Sequence, residues 1–114
     1  FELYCGDDGI TLPAFSIGSK GTVSVASHIV GNEMQQLAES FFTGDMAKAQ
    51  FLHRKLLPLF EGVFMAPSPS PIKTALQMKG LDVGGVRLPL VPLSEAERTL
   101  LSSLISQLDE ALQK

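Results

Sequence analysis

The residues near the start of the chain best suited to chemistry are Gly6, Asp7 and Asp8, which follow a five-residue strand pattern, Phe-Glu-Leu-Tyr-Cys. A strand that ends in a glycine and two carboxylates commonly turns those groups toward a ligand. Two adjacent aspartates can hold a metal ion when they sit on a hairpin between antiparallel strands, but here a helical pattern follows. The favoured roles are therefore structural: Asp8 caps the helix and Asp7 hydrogen-bonds the loop. A carboxylate at a helix N-terminus contributes about 0.3–1 kcal/mol. His28 follows the second strand pattern and reads as a solvated loop residue within reach of the mouth of a site. His53 sits in mid-helix with no second His or Cys at ligand spacing, which argues against a metal role. Ser24 and Ser27 have no histidine base on the same element, and a hydroxyl without a base is not an activated nucleophile. Cys5 is the only cysteine, so no internal disulfide can form, which fits a reducing cytoplasm.

The elements that must position these residues come from a chain of 114 residues, 45% hydrophobic and 18% charged, with a formal net charge of -3. That composition suits at most one globular domain. The mildly acidic balance, without a cluster of Lys and Arg, argues against nucleic acid as a partner. Apolar runs are broken by Pro, Gly or charge well short of the ~18 residues a membrane span requires. The start carries neither the basic stretch nor the apolar core of a secretory signal.

Residues 1–5 read as a strand closed by Gly6. A helix is expected over Asp8–Ile17, closed by Gly-Ser-Lys-Gly at 18–21. Thr11 is the alternative N-cap, which would put Pro13 in the first turn, where its missing N–H matters least. Residues 22–27, Thr-Val-Ser-Val-Ala-Ser, form the clearest strand pattern, with Val23 and Val25 on one face. A helix follows from about Glu33 to Phe42 on a stripe of Met34, Leu37, Ala38 and Phe41, and Gly44 stops it. Asp45 caps a longer helix with apolar positions 49, 52, 56, 59, 60 and 63, in which Pro58 is expected to produce a kink. The proline-rich run at 66–71 reads as an extended turn, and a short helix spans Ile72–Lys79, ended by Gly80. Pro89 and Pro92 keep the next connector out of helix. Ser94 and Glu97 have capping-box spacing at the start of a last helix, whose stripe is Leu100, Leu101, Leu104, Ile105, Leu108, Ala111 and Leu112.

Strand–helix–strand with short links is a parallel crossover. Two parallel strands alone make a poor domain, because such strands are normally buried on both faces and flanked by more strands. The expected fold class is thus α/β: the last two βα units of a (β/α)₈ TIM barrel, residues 1–43, followed by a C-terminal three-helix tail, residues 44–114. Such barrels need about 250 residues, so the chain is expected to be the C-terminal portion of a longer one.

Several stretches occur together in the order of one family: Tyr-Cys-Gly-Asp-Asp at 4–8, Thr-Leu-Pro-Ala-Phe-Ser-Ile-Gly-Ser-Lys-Gly at 11–21 and Thr-Val-Ser-Val-Ala-Ser-His-Ile-Val-Gly-Asn-Glu-Met at 22–34. Leu-His-Arg-Lys-Leu-Leu-Pro-Leu-Phe at 52–60, Pro-Ser-Pro-Ser-Pro-Ile-Lys at 67–73 and Val-Arg-Leu-Pro-Leu-Val-Pro-Leu-Ser at 86–94 complete the set. Together these resemble the C-terminal part of the dihydrodipicolinate synthase family of pyruvate-dependent lyases. The resemblance implies a lysine Schiff base with pyruvate, addition of the resulting enamine to aspartate semialdehyde, and a place in lysine and diaminopimelate biosynthesis. It implies no cofactor and no metal, a cytoplasmic enzyme, and a homo-oligomer, tetramer or dimer.

It also implies that the Schiff-base lysine lies on the strand before the one that opens this chain, so that no catalytic residue is expected here and the chain alone is inactive. A replacement amine would need a desolvated place at the interior end of a strand. Lys20 precedes its strand, while Lys48, Lys55, Lys73, Lys79 and Lys114 lie on helices or the terminus. The substrate-binding residues that carry over are Gly6, whose backbone lies against pyruvate, and Val23, whose main-chain carbonyl faces the Schiff-base centre. Val23 stands where the family usually has isoleucine, and Cys5 where it commonly has serine. Two alternatives stay open: another aldolase of the same family acting on a sugar-derived acid, such as N-acetylneuraminate lyase, or a non-catalytic helical interaction module.

Overall fold

The computed structural model describes residues 1–113. Two short strands, β1 (Tyr4–Cys5) and β2 (Gly21–Thr22), pair in parallel, with Tyr4 opposite Gly21 and Cys5 opposite Thr22. Flanking backbone bonds extend the pairing by a residue at each end, Lys20 N donating to Leu3 O at 2.7 Å and Val23 N to Cys5 O at 2.8 Å. Between the strands lie a 3₁₀ turn, Asp8–Ile10, and helix α1 (Thr11–Ser16). Helices α2 (Ser27–Phe42), α3 (Met46–Gly62), α4 (Ser70–Met78) and α5 (Glu95–Leu112) follow. The chain divides into two compact units, Phe1–Leu57 and the residues from Pro58 onward.

In the first unit α1 packs on α2. Phe15 meets Phe41 and Phe42 with ring centroids 5.5 and 5.0 Å apart, in the tilted geometry that the ring quadrupoles favour. Val30, Met34 and Leu37 bury one face of α2, and Ala49, Leu52 and Leu56 one face of α3. In the second unit α4 packs on α5, with Ile72, Ala75, Leu101, Ile105 and Leu108 buried. Gly44 and Gly80, at φ 88° and 92°, end helices as expected, because a left-handed residue closes a helix with least strain when it has no Cβ. Asp45 accepts from Lys48 N at 3.1 Å, and Ser94 and Glu97 form the full capping box.

Several expectations change. The second strand pattern, 22–27, shrinks to β2, and α2 begins at Ser27 instead of near Glu33. The amides of Val25, Ala26 and Ser27 are taken by the side chains of Asp8 and Ser24, which draws this stretch into a helix entry and away from a ladder. The early turn joins the body of α2 through a non-helical residue, Val30, at φ -129° and ψ 37°. Val23 and Val25 therefore do not share a strand face; Val23 is 73% exposed and Val25 half-buried. The first strand is confined to Tyr4–Cys5, the two residues in register with Gly21 and Thr22. The first helix splits into the 3₁₀ turn and α1, and Thr11 is a buried first-turn residue rather than a side-chain cap. The fourth helix starts two residues early, at Ser70, and Leu100 lies outside the buried stripe of α5.

Candidate functional site

Because β1 and β2 are parallel, the residues that follow them, Gly6 and Val23, lie at the same, C-terminal end of the pair. Active sites in (β/α)₈ barrels are built at this end. A Cβ added to Gly6 would meet no atom within 4 Å, and Gly6 has no positive φ. Nothing in the described residues thus demands glycine at position 6, either for backbone conformation or for contact with the chain itself.

The turn after β1 is held by a small polar lattice. The Cys5 thiol donates to Asp7 O at 3.1 Å, and Asp7 N points back to Cys5 Sγ at 3.5 Å. The Asp7 carboxylate accepts from Gly9 N at 2.9 Å and caps the 3₁₀ turn. Asp8 does something different from the helix cap expected of it. It is 2% exposed, and its Oδ2 accepts from Val25 N at 3.2 Å and Ala26 N at 2.9 Å, across 17 and 18 residues of chain. The two carboxylates thus exchange their expected roles: Asp7 is the cap, and Asp8 ties the turn after β1 to the loop after β2. Asp8 Oδ1 is buried and has no partner among the described residues. No short-range spacing marks this clamp in the sequence.

Ser24 Oγ accepts from Ser27 N at 2.9 Å, and Ser27 Oγ donates to Ser24 O at 3.2 Å, so both hydroxyls serve the entry to α2. Thr22 Oγ1 donates to Thr11 Oγ1 at 3.1 Å, joining β2 to α1. At the opposite end of the strands Ser19 donates to Gly21 O at 2.9 Å. His28 is exposed at the start of α2. His53 lies on α3, and burial first, then the neighbouring Arg54 charge, hold its pKa below the usual 6.5. Of the lysines, Lys20, Lys48, Lys55 and Lys79 are exposed, and Lys73 is half-buried with Nζ donating to Gly85 O at 2.8 Å. Lys114 falls outside the described residues. Ser68 carries no side-chain hydrogen bond among the described residues; Ser70 supplies the one that fastens the proline-rich turn, Oγ to Val91 O at 3.0 Å.

Two parallel strands, each followed by a helix, with polar side chains fastening the loops at their shared C-terminal end, define neighbouring βα units of a (β/α)₈ barrel, and a helical tail follows them in the chain. Residues 1–108 match the dihydrodipicolinate synthetase family, and the chain belongs to it. A 4-hydroxy-tetrahydrodipicolinate synthase of Bacillus velezensis is 58% identical over 108 residues, 95% of this chain and 37% of that protein. A crystal structure of a dihydrodipicolinate synthase from Bacillus anthracis superposes with a TM-score of 0.90 at 58% identity, over 93% of this chain and 36% of that one. The 4-hydroxy-tetrahydrodipicolinate synthase of Methylacidiphilum fumariolicum SolV gives a TM-score of 0.95 at 38% identity, covering 99% of this chain and 38% of its own. The chain spans little more than a third of the length of these relatives. Helices of the described residues are all too short or too polar to cross a membrane.

Proposed function

We propose that this chain forms part of a pyruvate-dependent lyase that condenses pyruvate, held as a lysine Schiff base, with aspartate semialdehyde, the step that commits carbon to lysine and diaminopimelate biosynthesis. Residues 1–43 contribute two βα units of the barrel and residues 44–114 the helical tail, within a homo-oligomeric enzyme. Gly6 leaves room for pyruvate against its backbone, and Val23 presents its carbonyl toward the Schiff-base centre.

One observation carries the reading: a family match over residues 1–108 coincides with a parallel strand pair whose C-terminal end presents Gly6 and Val23 together. The attacking amine is assigned to a lysine outside this chain, because no described lysine stands at the C-terminal end of a strand: Lys20 precedes β2, and Lys48, Lys55, Lys73 and Lys79 lie on or next to helices.

Pyruvate and borohydride, followed by intact-mass measurement, test this directly. The 12.3 kDa chain is expected to show no adduct. A longer protein containing it is expected to gain one reduced pyruvate, at a lysine outside these residues. Trapping on the 12.3 kDa species would overturn the lysine assignment. A longer protein that traps pyruvate yet consumes no aspartate semialdehyde would overturn the choice of acceptor. In that longer protein Gly6→Val is expected to raise the pyruvate concentration needed for trapping at least tenfold, through a side chain placed in the pocket.

A further inference from the structure

A second site lies entirely within the unit that begins at Pro58. The polar face of α4, the connector after it and Arg98 of α5 line a half-open cleft of about 300 Å³. This is the lower end of the size range of small-molecule pockets.

Its walls carry two cations, Lys73 and Arg98, and a single carboxylate among the described residues, Asp82. Asp82 is turned to its own turn, Oδ1 accepting from Gly84 N at 2.9 Å. Lys73 Nζ spends one donor on Gly85 O at 2.8 Å. Arg98 makes no side-chain hydrogen bond, and neither cation belongs to an ion pair among the described residues, where the one ion pair is Lys79–Asp109. Both are half-buried. This occurs in a chain whose net charge is -3, so carboxylates are not scarce. The Arg98 guanidinium keeps its contact with water, since it has no nitrogen among the buried unpartnered atoms, and its five donors stay free for a ligand. A planar fork of this kind matches a carboxylate or phosphate group edge-on, and the two remaining donors of Lys73 can supply a point charge beside it. Gln77 adds an amide to the same wall. At the N-terminus of α5 the capping box takes the amides of Ser94 and Glu97.

We propose that this cavity binds a small molecule through one oxyanion group, carboxylate or phosphate, received by Arg98 and Lys73. The proposal is independent of the lyase reading: neither Gly6 nor Val23 borders the cavity.

Nitrogen-15 NMR of the full chain tests it, with inorganic phosphate and succinate titrated separately at constant ionic strength and sodium chloride as the third arm. The expected result is a saturable shift of the Arg98 Nε–H and the Gly84 and Gly85 amides at millimolar phosphate or succinate, absent with chloride. Saturation by phosphate alone or succinate alone supports the proposal and identifies the head group. A shift that grows linearly, or that chloride reproduces, overturns it. Arg98→Gln is expected to weaken binding about tenfold and Arg98→Lys by less, because the charge stays and the fork is lost. Lys79→Gln, outside the cavity, should leave the titration unchanged. Unaltered affinity in Arg98→Gln overturns the assignment, and the titration of the unsubstituted chain stands as a test even if that variant fails to fold.

Discussion

Helices α2 and α5 begin with the same chemistry and hold it in opposite ways. At α5 the Ser94 hydroxyl accepts from Glu97 N at 3.2 Å, and the Glu97 carboxylate accepts from Ser94 N at 2.8 Å, all at the surface and within three residues. At α2 the acceptor for Val25 and Ala26 is Asp8, buried and 17 to 18 residues away. The first device stabilises one helix end. The second fixes the position of one barrel loop relative to the next, at the end of the strands where Gly6 and Val23 lie. Range and burial, rather than donor and acceptor type, separate a local cap from a part of the site's frame.

That contrast predicts unequal losses. Asp8→Ala would strand two amides, that of Ala26 in a fully buried residue. Bonds to a charged acceptor and the desolvation of orphaned donors each amount to ~1–3 kcal/mol. The expected loss in urea unfolding is about 2–3 kcal/mol, held down because Asp8 Oδ1 is itself unpartnered in the described residues. Hydrogen exchange at Ala26 should accelerate with it. Asp8→Asn, which keeps one acceptor oxygen and the side-chain size, should lose about half as much. Equal losses in the two variants would mean that charge, not the acceptor, does the holding.

Ser94→Ala comes next. It removes the acceptor for Glu97 N, and such cap losses run at about 1 kcal/mol. A loss matching that of Asp8→Ala would erase the distinction between the two devices.

The same contrast explains what was legible in the sequence. Helix faces repeat every 3.6 residues, so Leu37, Leu52, Leu56, Leu101 and Leu108 could be placed in the core from spacing alone, and all are buried. Ser94 with Glu97, Asp45, Gly44 and Gly80 act on neighbours three or four residues off, and their roles could be read. The parallel strand pair and the barrel class followed from the order of the elements and the resemblance. The alternation of Val23 and Val25 suggests a longer second strand, while the capture of Val25 and Ala26 by Asp8 depends on a fold-wide approach that no local pattern records. For the same reason Asp7 and Asp8 were assigned each other's tasks. The cavity beside Arg98 gave no signal, since it joins residues from 70 to 98 that carry no shared period.

Acid should separate the two helix starts further. The Glu97 carboxyl lies below the ordinary 4.5, chiefly through the Ser94 backbone N–H and then the Ser94 hydroxyl, against a small opposing effect of desolvation. A carboxyl whose pKa falls on folding favours the folded state above its unfolded pKa, and that contribution disappears as pH drops from about 4.5 through the folded value. Glu97→Gln should flatten this acid dependence of α5, read as helical circular dichroism against pH. His53 has the same sign in a higher window. Its pKa is lowered on folding, so stability should decline as pH falls from 6.5 through the folded value, and His53→Gln should remove that slope.

The smallest effect is expected at the one ion pair among the described residues. Lys79 Nζ lies 3.1 Å from Asp109 Oδ1, joining α4 to α5, yet the two side chains are 38% and 51% exposed. Water screens such a pair, and ordering the long Lys79 side chain offsets most of the Coulomb gain. Lys79→Ala should therefore lower stability by no more than about 0.5 kcal/mol, and by less in molar salt, where the screening length contracts to about 3 Å. A longer bond that is part-buried would then outweigh a shorter one that is exposed: the 3.2 Å contact of Asp8 with Val25 N belongs to a frame, whereas the Lys79 pair is a surface contact. A loss above ~1 kcal/mol that salt does not reduce would place the Lys79 pair among the frame elements, and burial could no longer be the quantity that ranks them.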